Sequence, residues 1–402
     1  MTDELEGVRI LADRATAQRI TRRHFLAGSA VAMFSSSVLL AACGSDDGTQ
    51  TGGGGGGGGA GTGEVEDRLN FFHWAAYDDP EVFKDFEKEF GTTTKIDIYA
   101  SNEEAISKLQ ASAGTSGYDI VVPTGVYIPQ MVELDLLEEL NLDAIPNFEN
   151  VEAIYRDQPW DPGNKHSVCK DWGSTGWIYD KTQVSTDIKT WNDFLAVAEG
   201  EASGKTSVLD TPGNLTGIWF WANGIDWTTT DEGDLDACED YIVNTLAPHI
   251  KAYDSYPGIA LTEGKYALSH AWNGDARQGL LQTDDPDRYA WGLGAPVTEL
   301  WMDNWCIVKG AQNVNAAHAW INYICDPDVS LKDLAFHGYN TGISGVQEKA
   351  EQAFADGDEA FGFLDLVFFD DAQVETMDAG AVNEAQGRLV DIWNKAKAAS
   401  GA

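Results

Sequence analysis

The chain has 402 residues, of which 43% are apolar and 11% aromatic, enough for a large core and for two lobes rather than one small domain. Its formal charge of -39 excludes nucleic acid and anionic membrane surfaces as partners, because both demand patches of Lys and Arg. The same charge is no argument for a cationic ligand, since a uniformly acidic surface also keeps a protein soluble.

The N-terminus reads as a targeting segment and is set apart from fold reasoning. Thr21-Arg22-Arg23-His24-Phe25-Leu26 is a twin-arginine pattern behind a polar leader, and a nearly uncharged stretch runs from Phe25 to Ala42. It ends in Leu40-Ala41-Ala42-Cys43-Gly44, which resembles a lipobox with Cys43 as the lipidated first residue of the exported protein. A plain signal anchor ending in Cys is the simpler alternative. The order of twin Arg, apolar run and small-small-Cys favours the lipoprotein. Residues 1–43 are thus read as signal peptide and 44–66 as a Gly-rich flexible tether. About twenty such residues reach roughly 25 Å. No later segment is long and apolar enough to span a membrane. The expected place is therefore the outer face of the cytoplasmic membrane, held by the lipid anchor only. Cys169, Cys238, Cys306 and Cys325 remain, with neither zinc-type nor CxxC spacing, and read as disulfides or buried thiols with three pairings open.

Arg68 to Trp74 reads as a first strand, followed by a loop with Tyr77 and a helix from about Pro80 to Phe90. Thr94 to Tyr99 is a second strand, and Ser101 with Glu104 forms a capping box opening a helix through Ala111. Tyr118 to Pro123 is a buried strand that delivers Thr124-Gly125-Val126-Tyr127 into a loop. This βαβ alternation predicts α/β lobes, each a mixed, mostly parallel sheet flanked by helices, with ligand loops at strand C-terminal ends. Trp172 to Tyr179 is a Gly-rich crossing to a second lobe, which holds the strand Ser207 to Asp210 and the turn Thr211-Pro212-Gly213-Asn214. The chain crosses back around Trp301 to Val308, a helix from Asn315 to Cys325 rejoins the first lobe, and Gly338-Tyr339-Asn340-Thr341 returns to the cleft. The expected division is 67–175 for the first part of lobe one, 176–298 for lobe two, and 299–402 for the return and C-terminal helices. Two crossings make a hinge.

Two short motifs carry the chemistry: Ala271-Trp272-Asn273-Gly274-Asp275 and Trp301-Met302-Asp303. Each sets a Trp two or three residues before a carboxylate, the pairing a small organic cation needs. A buried ammonium costs several kcal/mol unless a carboxylate pairs with it. An indole face adds roughly 0.5–2 kcal/mol without a second desolvated ion. The plainer alternative is that both Trp are core and both Asp are turn residues.

Five segments in order resemble the spermidine/putrescine-binding proteins of ABC importers: Phe72 to Tyr77, Tyr99 to Glu103, Tyr118 to Pro123, Ala271 to Asp275 and Trp301 to Asp303. The resemblance implies a two-lobe periplasmic-binding fold, type II-like, closing over a polyamine and docking on a membrane permease, as a monomer without cofactor or metal. By position it implies an aromatic box of Trp74, Tyr77, Trp272, Trp301 and Tyr339, hydroxyl partners Thr124 and Ser255, and amine-binding carboxylates Asp303 and Asp275. Tyr127 stands beside Val126, where an aromatic is expected. Thr211 and Asn214 stand where the spermidine binders carry acids, leaving only neighbouring Asp210. Two main carboxylates favour a putrescine-like diamine over a triamine.

The competing readings are weaker. A secreted hydrolase lacks a G-x-S-x-G elbow, HExxH, a P-loop and a dinucleotide fingerprint, and Gly342-Ile343-Ser344-Gly345 has no flanking pattern. A same-fold receptor for another amine or for an amino acid-like solute is the nearer rival. Amino acid capture wants an Arg, and Arg277 on an opening helix is expected to face solvent. His73 is expected to flank the site.

Overall fold

The structure, a computed structural model, describes residues 61–401 apart from Ala113; the twin-arginine motif, Cys43 and the tether up to Ala60 lie outside the described residues. β1 (Arg68–His73) alternates its apolar side chains, with Leu69 and Phe71 in one core and Phe72 in another. α1 (Pro80–Phe90) opens on an Asp79 cap with Pro80 in its first turn and closes on left-handed Gly91. β2 (Thr93–Ile98) pairs parallel with β1. α2 (Asn102–Ser112) starts behind Ser101, whose hydroxyl accepts from the Glu104 amide at 3.1 Å. Glu104 reaches back to the Ala100 amide rather than to that of Ser101, a capping box shifted by one residue. β3 (Ile120–Val121) and α3 (Ile128–Glu133) complete the opening unit.

β4 (Ser167–Asp180) is 14 residues long and buried throughout. Next come α4 (Trp191–Glu199), β5 (Thr206–Leu209), α5 (Pro212–Asn223), α6 (Glu232–Tyr241), β6 (Ile250–Asp254) and α7 (Pro257–Thr262). Then follow β7 (Leu268–Trp272), α8 (Asn273–Gln282), β8 (Tyr289–Leu293) and β9 (Thr298–Ile307). The chain ends with α9 (Val314–Ile324), α10 (Pro327–His337), α11 (Val346–Ala355), α12 (Asp371–Val374), β10 (Met377–Asp378) and α13 (Gln386–Ser400). The segment Thr211 to Asn214, expected as a turn, is instead the start of α5. Thr211 is its N-cap and Pro212 suits the first turn, while burial of Trp219, Phe220 and Trp221 outweighs the cost of Gly213 and Gly217 in a helix.

The strand order is β2-β1-β3-β9-β4-β7-β5-β6, with β8 added to β4 and β10 to β9. Outer pairs in each half are parallel, as βαβ units require, whereas β9 and β4 join the halves antiparallel. The first half of β4 pairs with β9 and its second half with β7 and β8. Two lobes therefore share β4 and β9 as their crossings. Each lobe has helices on both sheet faces. Phe71, Phe86, Trp305 and Trp320 fill one face of the first lobe, and Phe72, Ile106 and Tyr118 the other. Trp177, Trp191 and Trp221 fill one face of the second lobe, and Ile178, Leu280 and Tyr289 the other. α13 lays Leu389, Ile392 and Ala396 on the second-lobe core. Cys169, Cys238, Cys306 and Cys325 are free, buried thiols, so the buried-thiol alternative holds among the described residues. No helix of the described residues is long and apolar enough to cross a membrane.

Candidate functional site

Strand register alone gathers three of the candidate residues, Trp272, Trp301 and Asp303. Asp171 of β4 lies opposite Asp303 of β9, and Gly173 opposite Trp301; on the other edge of β4, Thr175 lies opposite Trp272. Paired residues point the same way and side chains alternate along a strand, so these six positions share one face. Gly173 leaves room on that face. A Cβ there would stand 2.6 Å from the Trp301 ring and 2.3 Å from Asn273 Oδ1.

Tyr339 enters from the turn after α10. Its hydroxyl donates to Asp275 Oδ2 at 2.6 Å, and its ring meets Trp301 edge-on at 4.7 Å between centroids. The Tyr339 amide donates to His337 Nδ1 at 3.0 Å and the two rings stack, which fixes the phenol's direction. Gly274 permits this approach, because a Cβ there would come 2.3 Å from the Tyr339 ring. Burial lifts the Asp275 carboxyl to about 6; the bond from Tyr339 opposes that rise and the charge of Asp254 adds to it.

At the other end, the Thr124 hydroxyl donates to Asp303 Oδ1 at 2.7 Å and in turn accepts from Asn102 Nδ2 at 3.1 Å. The Tyr77 hydroxyl lies 2.6 Å from Asp171 Oδ1 and 2.8 Å from Asp303 Oδ2. One phenol proton cannot be donated to both carboxylates at once, so the two acids compete for it. Burial first, and the charge of Asp171 second, push Asp303 up to about 7. Asp171 is instead paired with the ammonium of Lys170 at 2.9 Å. Burial raises the carboxyls of both Asp171 and Asp303, and the Tyr77 hydroxyl, lying between them, is the donor they share.

Behind Asp171 lies a buried ionic group that sequence reading missed. Lys170 Nζ is 3.2 Å from Asp78 and sits 3.8 Å over the Tyr77 ring. Burial alone would lower its pKa, but the charges of Asp171 and Asp78 outweigh that and raise it. His337 lies 3.6 Å from Asp171 and 3.5 Å from Asp333, and burial holds it neutral. His73 joins the same group, 3.7 Å from Asp78. The available signal was Lys170-Asp171 set between Val168-Cys169 and Trp172, since a charge pair among apolar neighbours is costly unless partnered.

The other candidates are placed as follows. Trp74 donates its indole N–H to the Val122 carbonyl at 3.0 Å and packs edge-on against Tyr99. Tyr127 donates to Glu103 at 2.7 Å, and Gln386 of α13 reaches the same pair. Ser255 is exposed in the loop after β6, between Asp254 and Tyr256, whose ring feels the charge of Asp275. Asp210 is drawn elsewhere: it accepts from Trp393 at 2.9 Å and Lys397 at 3.2 Å, both on α13. Arg277 corrects its expectation outright. It is fully buried and donates to the carbonyls of Gly362 at 2.9 Å and Ala360 at 2.6 Å, because that loop brings acceptors under α8. Among the described residues, no cluster of His, Cys, Asp and Glu is grouped to hold a metal ion.

Two α/β lobes joined by two crossing strands, with acids and aromatic rings collected at the crossing, define a binding protein of the periplasmic type. The chain belongs to the bacterial extracellular solute-binding proteins, whose family pattern matches residues 81–364. It is 25% identical over 319 residues to the spermidine/putrescine-binding periplasmic protein of Salmonella typhimurium, covering 79% of this chain and 90% of that one. It is 27% identical over 290 residues to the putrescine/agmatine-binding protein of Pseudomonas aeruginosa, covering 68% and 78%. Among solved structures, a putative spermidine/putrescine ABC transporter protein from Listeria monocytogenes superposes with a TM-score of 0.73 at 23% identity, covering 83% of this chain and 99% of that one. The spermidine/putrescine substrate-binding protein of Streptococcus pneumoniae gives 0.68 at 24%, covering 83% and 100%.

Proposed function

We propose that the chain is the substrate-binding component of an ABC importer and captures a polyamine, with a putrescine-like diamine bridging Asp275 and Asp303. The observation that carries this is the continuous path Asp275–Tyr339–Trp301 and Tyr339–Tyr77–Asp303, in which two acids bracket a run of aromatic rings. Methylenes of the ligand lie against Trp272, Trp301 and Trp74, and each ammonium meets one carboxylate and an indole or phenol face. No chemistry is done. Closure about β4 and β9 excludes water and strengthens both ion pairs. The lobes divide near residue 175 and again near 298. The polyamines for which the relatives are named support the solute class, and the burial of Arg277 leaves an amino acid carboxylate without that cation. The lipid on Cys43 and the tether keep the receptor on the outer face of the membrane beside its permease, where it works as a monomer.

The test is calorimetry with putrescine on Asp303→Asn and Trp272→Ala, each expected to weaken binding at least about tenfold, or roughly 1.4 kcal/mol. Unchanged affinity in both would remove the site assignment. A thermal-shift panel of putrescine, cadaverine, spermidine, agmatine and amino acids ranks the ligands, since a bound solute raises the melting temperature by mass action.

A further inference from the structure

We infer that Glu299 is a third ligand carboxylate, which takes the additional ammonium of a linear triamine at the second-lobe end of the groove. The inference rests on the polyamine reading and extends it. Side chains alternate along β9, so Glu299 shares a face with Trp301 and Asp303, and four residues of strand separate it from Asp303 by about 13 Å. Glu299 Oε2 is buried without a hydrogen-bond partner. The Asn214 side chain lies close enough to lower the pKa of the same carboxylate, yet Asn214 Oδ1 is itself buried without a donor, with the residue only 6% exposed. Three residues earlier, the Thr211 hydroxyl at the N-cap of α5 is also buried, and it neither caps the helix nor bonds elsewhere. Trp301 Nε1, on a residue 8% exposed, is likewise unpartnered.

Orphaned buried polar atoms each cost about 1–3 kcal/mol, so the three oxygens, Glu299 Oε2, Asn214 Oδ1 and Thr211 Oγ1, need a reason to stay without donors. A primary ammonium supplies one. It presents three N–H donors and a positive charge, matching one carboxylate oxygen, one amide oxygen and one hydroxyl oxygen. Burial, with the charge of Asp303 adding to it, lifts the Glu299 carboxyl to about 7, so its ionisation awaits a cation. Tyr127 and Asp303, both first-lobe residues, lie within range of its charge, which places Glu299 where the lobes meet.

The experiment is calorimetry on the full chain and on Glu299→Gln, with putrescine and with spermidine. Spermidine should weaken at least about tenfold and putrescine by less than about twofold, a selective loss of roughly 1.4 kcal/mol. The melting temperature of the ligand-free chain should stay unchanged. Spermidine affinity that does not move, or equal weakening of both amines, overturns the inference. A lower melting temperature without selectivity overturns it too, and marks a helix-capping role at α5 instead. Wild-type protein gives an independent readout: in two buffers of different ionisation enthalpy near neutral pH, spermidine should displace more protons than putrescine, and equal release counts against Glu299. A wild-type chain that binds putrescine but not spermidine sinks this inference alone. One that binds neither sinks the polyamine reading with it.

Discussion

Affinity for a diamine should fall as pH falls through neutrality, which is not the behaviour of ordinary surface carboxylates. Burial, aided by Asp171, lifts Asp303 to about 7, and burial lifts Asp275 to about 6. Alkyl ammonium groups resemble Lys and stay protonated throughout this range, so only the protein titrates. Between about pH 8 and about pH 6 the ionised share of Asp303 drops from roughly nine-tenths to one-tenth, a tenfold loss worth about 1.4 kcal/mol. Asp275 goes from fully to half ionised over the same interval, a further factor of about two, for roughly twentyfold in all. The sign for stability is opposite. A carboxyl whose folded pKa is raised above the unfolded value stabilises the empty chain at low pH, and that contribution is lost as pH rises through 6 to 7. Diamine should therefore raise the melting temperature more at about pH 8 than at about pH 6. Calorimetry across this range, in two buffers at each pH, reads both the dissociation constant and the proton release. A dissociation constant flat to within about threefold, with no proton release near pH 7, refutes the assignment of Asp303 as a buried, proton-holding ligand.

Two further substitutions test the supports of the site. Lys170→Met leaves Asp78 and Asp171 buried without their cation and should cost about 3–5 kcal/mol in denaturant unfolding. Part of that loss should be recovered at acidic pH, because burial already raises the Asp171 carboxyl and protonation removes its unpaired charge; a loss below about 1 kcal/mol would show that the network is not held by Lys170. Gly274→Ala separates helix propensity from site geometry. Alanine is better in a helix by about 1 kcal/mol, but its Cβ would lie 2.3 Å from the Tyr339 ring, so diamine binding should weaken at least about tenfold. Full affinity with a raised melting temperature would show that Tyr339 need not lie on Gly274.

What was legible in the chain was local. The ends of α1 were readable because an Asp cap, a first-turn Pro and a terminal Gly act within a few residues. The motifs around Trp272 and Trp301 were readable because aromatic and acid alternate at spacings that strands and helix starts preserve. Lys170 and Asp171 were passed over because their partners, Asp78, Asp333 and His337, come from elements far away in sequence. Arg277 was expected in solvent because nothing near it announces the carbonyls of Ala360 and Gly362. Asp210 followed the same logic in reverse: it ends a strand as ligand residues do, but α13 supplies Trp393 and Lys397 to hold it. The start of α5 was taken for a turn because Pro and Gly signal both, and only the buried rings of Trp219, Phe220 and Trp221 decide the matter.

The acidic surface and the acidic site act over different ranges. A formal charge of -39 attracts any cation, but its reach is cut to about 8 Å at physiological salt and it does not tell a diamine from a metal ion. Discrimination has to come from the groove. Indole and phenol faces reward methylene groups that a hydrated inorganic ion lacks. The raised carboxyls add a second filter. Burial leaves Asp303 only partly ionised near neutral pH, so it offers a passing ion less charge than a surface carboxylate does. On the proposed reading, a cation that also buries its carbon chain between the lobes gains enough to ionise it fully. On this reading, the burial that makes Asp303 a poor acid is what makes it a selective ligand.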